Sequence, residues 1–139
     1  MRAAEARDLP ALTAFLGARV ETSMFPLGNL LGHGFGSDGP RQMRFWIAGD
    51  PPTGVIGLSG AGMILPQIDP TEANAAARAL AGLSVAGLAG ESAQVSALIP
   101  ALGLSDAPFR MNHDEPQFSL SLADLVLPDC SGLHLVPAA

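Results

Sequence analysis

The chain reads as a single α+β domain of the α/β type, built on a mixed central sheet of about six strands, antiparallel at its N-terminal side and flanked by about four helices. Three observations predict it. Two segments with helical apolar spacing open the chain, three short strand patterns separated by glycine- and proline-rich turns follow, and the remainder alternates helix-forming with strand-forming stretches. At 139 residues the chain is long enough to enclose one core but not two. It divides into a domain over residues 1–132 and a trailing strand, or the start of a second domain, over 133–139.

Asp8 stands as an N-cap ahead of Leu9 and Pro10, and Leu9, Leu12, Phe15, Leu16 and Val20 recur at helical spacing, which predicts a helix over 9–20. A second helix over 21–31 should be interrupted by Pro26 and Gly28. It ends in Gly32-His33-Gly34-Phe35-Gly36, a candidate mobile loop. Residues 43–48 read as a strand, Gly49-Asp50-Pro51-Pro52-Thr53-Gly54 as a turn, and 55–59 as the return strand of a hairpin. Gly60-Ala61-Gly62 then turns the chain into a third strand over 63–68, completing an antiparallel meander. Asp69, Pro70 and Thr71 end it, and the alanine-rich stretch 72–80 forms a helix that stops at Gly82.

An apolar strand over 83–88 passes through Ala89-Gly90-Glu91-Ser92 into a helix over 91–102, which Pro100 should kink or shorten. After a loop over 105–114, Gln117-Phe118-Ser119-Leu120-Ser121-Leu122 alternates polar and apolar residues, the pattern of a strand with one covered face. A last strand is expected over 133–136, with His134 in a structural or interface position. Phe45, Trp46 and Phe118 are expected to fill the core.

Composition narrows the function classes. Every apolar run is broken by Gly, Pro or a charge before the roughly 18–20 residues needed to cross a bilayer, and the N-terminus lacks the apolar stretch of a secretory signal. A cytoplasmic protein without a membrane partner is therefore expected. The single Cys130 has no companion for a disulfide or a metal site, which fits a reducing compartment. There is no lysine, and seven scattered arginines in a chain of net charge −6 leave no basic stripe for phosphates. Nucleic acid is excluded as a partner on that ground.

Few residues offer chemistry. Gly90-Glu91-Ser92 opens a helix, where unpaired N–H groups and the helix dipole favour an anion, although Glu91 would repel one and a plain turn explains the same residues. His113-Asp114-Glu115 places two carboxylates beside an imidazole, suited to binding a metal or activating an amine. Neighbouring side chains in a strand point to opposite faces, so the trio converges only in a turn, and a solvated loop is the simpler reading. His33 reads as an exposed loop histidine. No metal site is expected.

Phe15-Leu16, Met24-Phe25-Pro26-Leu27-Gly28-Asn29-Leu30 and Gly54-Val55-Ile56-Gly57 stand in the first half of the chain. Val85-Ala86-Gly87-Leu88-Ala89-Gly90, Gln94-Val95, Leu102-Gly103-Leu104 and Glu115-Pro116-Gln117-Phe118-Ser119-Leu120-Ser121-Leu122-Ala123-Asp124-Leu125 follow. In this order, and with this succession of elements, nearly the whole chain resembles the GNAT superfamily of acyl-CoA-dependent N-acyltransferases. More narrowly, it resembles the N-terminal half of bacterial acetyltransferases built from two GNAT-like domains in tandem. The resemblance implies a GNAT-like fold and acetyl-CoA as cofactor.

It also sets the terms on which activity carries over. The family's pyrophosphate loop, Gln/Arg-x-x-Gly-x-Gly/Ala, falls on Gln67-Ile68-Asp69-Pro70-Thr71-Glu72-Ala73, which has no glycine, a proline where a donor N–H is wanted, and two acidic residues. The loop is read as absent. The family's tyrosine acid is missing too, since the chain contains no tyrosine. One reading is a non-catalytic module that packs against a second GNAT domain or pairs as a homodimer. Another is a free-standing acetyltransferase with an altered acyl-CoA site. In that case the strand over 85–88 would splay from its neighbour, Met63, Ile64, Leu65, Gly90 and Ser92 would hold the cofactor, and His113 or Glu115 would serve as base. A small-ligand binding or regulatory domain is the third.

Overall fold

The computed structural model describes residues 1–129 and 131–132. Its elements are β1 (Arg2–Ala3), α1 (Leu9–Gly17), α2 (Val20–His33), β2 (Met43–Ala48), β3 (Gly54–Ser59), β4 (Met63–Gln67), α3 (Ala73–Ala79), β5 (Gly87–Leu88) and α4 (Ser92–Ala101), with 3-10 turns at Ala6–Asp8, Pro70–Glu72 and Leu122–Asp124. The five strands form one open mixed sheet in the order β1-β2-β3-β4-β5. All neighbours are antiparallel except β4 and β5, which run parallel because α3 carries the chain across one face between them.

Strand alternation divides the core between the two faces. Met43, Phe45 and Ile47 of β2 pack with Leu12, Phe15 and Leu16 of α1 and Leu30 of α2 on one side. On the other, Ile56, Leu58 and Ile64 pack with Ala73 and Ala76 of α3, with Leu80 just after it, and with Leu98 of α4. β3 lies at the centre of the sheet and is buried along its whole length. Each fully buried Leu, Ile or Phe contributes on the order of 1.5–3 kcal/mol, so the two clusters carry most of the stability. Gly57 of β3 faces Met43 and Phe45 so closely that a Cβ there would lie 2.6 Å from the Met43 methyl carbon.

The predicted helices are present, with altered boundaries. The break after the first falls at residues 18–19 instead of 20–21, and α2 runs without interruption through Pro26 and Gly28. Pro26 forfeits one helical hydrogen bond, but it is buried with Ser23 and Leu30, and this packing outweighs the loss. The hydroxyls of Thr22 and Ser23 both donate to Gln67 Oε1 at 2.7 Å, fastening α2 to β4. His33 is exposed in the last turn of α2, not in a loop. Asp8 does not cap α1 with its side chain; its carboxylate instead takes the Arg2 guanidinium and the Glu5 N–H.

Three strand expectations are corrected. The predicted strand over 83–88 pairs as a ladder only at Gly87–Leu88, because Gly62, at φ 84°, turns the chain just before β4 and the ladder begins only at Met63. Residues 117–122 form no strand: they are exposed, Leu122 opens a 3-10 turn, and Phe118 is 87% exposed instead of buried. Alternation alone does not make a strand, and the two-residue β5 offers no ladder long enough to pair with it. Among the described residues the sheet has five strands, one of them the unforeseen β1. The expected strand over 133–136, His134 and Cys130 lie outside the described residues. No helix among the described residues is long and apolar enough to cross a membrane.

Candidate functional site

At the junction between β4 and β5 two parallel strands leave the sheet side by side, and its closure follows from a proline. The ladder runs through Ala86 N–H to Gly62 O at 2.8 Å and Ala89 N–H to Ile64 O at 3.0 Å. The next donor toward β5 would be residue 66, which is Pro66 and has no N–H. Gly90 packs directly on the Pro66 ring, where a Cβ would approach Cγ to 2.9 Å. Beyond it, the buried Gln94 of α4 accepts the Ile68 N–H on Oε1 at 3.1 Å. Its Nε2 donates to Glu91 Oε2 at 2.9 Å. The sheet's end is thus bridged by side chains of the protein itself.

Both helix starts near this junction are occupied by carboxylates. Asp69 Oδ1 accepts the Thr71 hydroxyl at 2.6 Å and the Thr71 N–H at 2.9 Å, and these two bonds, the hydroxyl's first, hold its carboxyl below the usual carboxylate range. Glu72 presses against Gly54, with Oε2 buried and without a hydrogen-bond partner among the described residues. At α4, Glu91 is the N-cap and Ser92 Oγ donates to Asp114 Oδ1 at 3.0 Å. A phosphate brought to either point would meet negative charge, and at the Asp69 turn the Thr71 N–H is already taken.

A cavity of about 410 Å³ opens on the α1/α2 face, lined by Phe25 and Asn29 of α2, Met63 and Leu65 of β4, and Ala89. Met63 and Leu65 therefore meet in one space, while Ile64 points to the opposite face and is fully buried. The Met63 N–H donates to Ser59 Oγ at 3.1 Å. Gly90 and Ser92 lie at the start of α4, outside that lining. His113 and Glu115 are exposed on the extended segment after α4, brought near the domain by the Ser92–Asp114 bond and by Gln117 Nε2, which donates to the Glu21 carbonyl oxygen. Among the described residues, no group of His, Cys, Asp or Glu side chains has the arrangement of a metal site.

Sequence reasoning missed a second cavity, of about 450 Å³, on the α3/α4 face. The Gly60-Ala61-Gly62 turn and residues 82–86 form its walls, and among the described residues Arg44 is the one charged residue lining it. Arg44 makes no hydrogen bond or ion pair among the described residues, and its Nε is buried without a partner. Its guanidinium carbon stands 5.8 Å from the centre of the Trp46 ring. A buried polar group without a partner costs about 1–3 kcal/mol, more when charged. The visible signal was a lone arginine in an otherwise apolar strand. No family model, no curated protein and no solved structure matches this chain.

Proposed function

We propose that the protein is a GNAT-like domain without transferase chemistry of its own, serving as the supporting half of an acetyltransferase by packing against a catalytic GNAT domain or a second copy of itself. The observation that carries this reading is the self-occupied β4–β5 junction: Pro66, Gly90 and Gln94 fill the gap, and Asp69 and Glu91 stand at the two helix starts. The element succession, with antiparallel β1 to β4 and a parallel β5 reached through α3, supports the fold half of the proposal. The apolar side chains of Phe118, Leu120, Leu122 and Val126, all more than 60% exposed, support the packing half.

Calorimetric titration with acetyl-CoA tests it. No heat of binding at millimolar ligand is the expected result. A micromolar dissociation constant, about 8 kcal/mol of binding free energy, would overturn the proposal and favour a transferase with an altered cofactor site.

A further inference from the structure

The Arg44 cavity lies on the opposite side of the sheet from the Met63 and Leu65 cavity, and nothing in the GNAT-like reading uses it. Arg44, the second residue of β2, lines the cavity together with the Gly60-Ala61-Gly62 turn. Leu83 and Val85, which pack on the core beneath α3, supply an apolar wall, and Ser59 and Ser84 supply hydroxyls. At about 450 Å³ the space is in the range that small-molecule sites occupy. No Asp or Glu lines it, although the chain carries thirteen acidic residues.

We propose that this cavity binds a small organic monocarboxylate, with the Arg44 guanidinium gripping the carboxylate and Leu83 and Val85 receiving its apolar body. The guanidinium fork matches a carboxylate with two parallel N–H donors, and among the described residues no carboxylate or carbonyl engages the Arg44 guanidinium that lines the cavity. Among the described residues one cation with no second positive charge lines the cavity and matches one negative charge, which favours a carboxylate over a doubly charged phosphate. The inference stands on the cavity alone, so the absence or presence of acetyl-CoA binding leaves it unaffected.

The test is an NMR titration of the full chain with butyrate, with its neutral isostere butyramide, and with inorganic phosphate, following the Arg44 Nε–H signal and the amides of Gly60, Gly62, Gly82 and Val85. Saturable shifts confined to these groups with butyrate, and at least tenfold weaker binding of butyramide and phosphate, are expected. Arg44→Gln should weaken butyrate at least tenfold, Arg44→Lys should fall between, and Arg78→Gln on the exposed side of α3 should change nothing. Unsaturated or scattered shifts, or equal binding of butyrate and butyramide, would overturn the site. Phosphate binding as tightly as butyrate would overturn the carboxylate assignment. The butyramide comparison uses the wild-type chain and so decides the matter even if Arg44→Gln fails to fold.

Discussion

Two residues show how polar side chains fix this chain's geometry, and each leads to a measurable consequence. Asp8 receives Arg2 Nη1 at 2.6 Å and Nη2 at 2.7 Å, together with the Glu5 N–H at 2.8 Å. The Arg2 hydrogen bonds first, and the Glu5 N–H second, push its carboxyl well below the usual carboxylate range. A carboxyl whose folded value lies below its unfolded value of about 4 stabilises the fold above that pH and loses the contribution as pH falls toward the folded value. The stability difference between wild type and Asp8→Asn should therefore be constant from pH 7 to about pH 5 and shrink by pH 3, read from urea midpoints; an undiminished difference at pH 3 would show that ionisation is not its source. Gln94 acts by acceptance instead of charge. Gln94→Leu keeps the volume but strands the Ile68 N–H, and should cost about 1–3 kcal/mol in the same assay, whereas a cost near zero would mean that the bridge is dispensable. Neither partner was legible in the sequence, because Arg2–Asp8 and Ile68–Gln94 meet only once β1 has paired and α4 has docked. Arg44 was hidden for a related reason: alternation in β2 announces its face, but not that every carboxylate lies elsewhere.

At the scale of elements, turn chemistry was the most readable part of the chain. The hairpin at residues 49–54, the Gly60-Ala61-Gly62 turn and the stop at Gly82 all stand where glycine and proline placed them, since those residues determine backbone conformation locally. Strand length was less readable, because a ladder depends on what runs alongside. Residues 83–85 form no ladder with β4, and Gln117 to Leu122 alternate correctly but meet no edge. The Gly60 turn also anchors the loop that precedes β2: Gly60 N–H donates to Gln42 O at 3.0 Å and Ala61 N–H to Pro40 O at 3.0 Å. A Cβ on Gly60 would collide with the Gly39 carbonyl oxygen and lie 3.1 Å from that of Ser37. Because both obstacles are backbone, relief requires the whole loop to move. Gly60→Ala should lower stability by about 1–3 kcal/mol in chemical denaturation and shift the amide resonances of residues 37–42, and a neutral effect would mean that this loop is loosely held.

For the molecule as a whole, the decisive feature is the contrast between a core that is complete by Leu102 and a described segment from residue 108 onward that buries nothing. Both hydrophobic clusters end at or before Leu102, and every described residue from 108 onward is exposed. Phe118 and Leu122 are 87% and 84% exposed, an apolar surface that water disfavours at about 25 cal/mol per Å². Such a segment has two properties that separate in experiment. Its side chains contribute little to folding of the domain, so a Phe118→Ser, Leu120→Ser, Leu122→Ser triple variant should keep its denaturation midpoint, each change remaining within about 0.5 kcal/mol. The same side chains are available to cover a partner, so wild type should show concentration-dependent self-association in sedimentation velocity and the triple variant should not. Loss of stability in the triple variant would place residues 118–122 inside the fold. Retained stability with unchanged association would move the self-contact to another surface, such as the exposed Phe25 and Leu31 of α2. A fall in association at constant stability is the result that a supporting module requires, because its fold must stand complete while its contact surface remains uncovered.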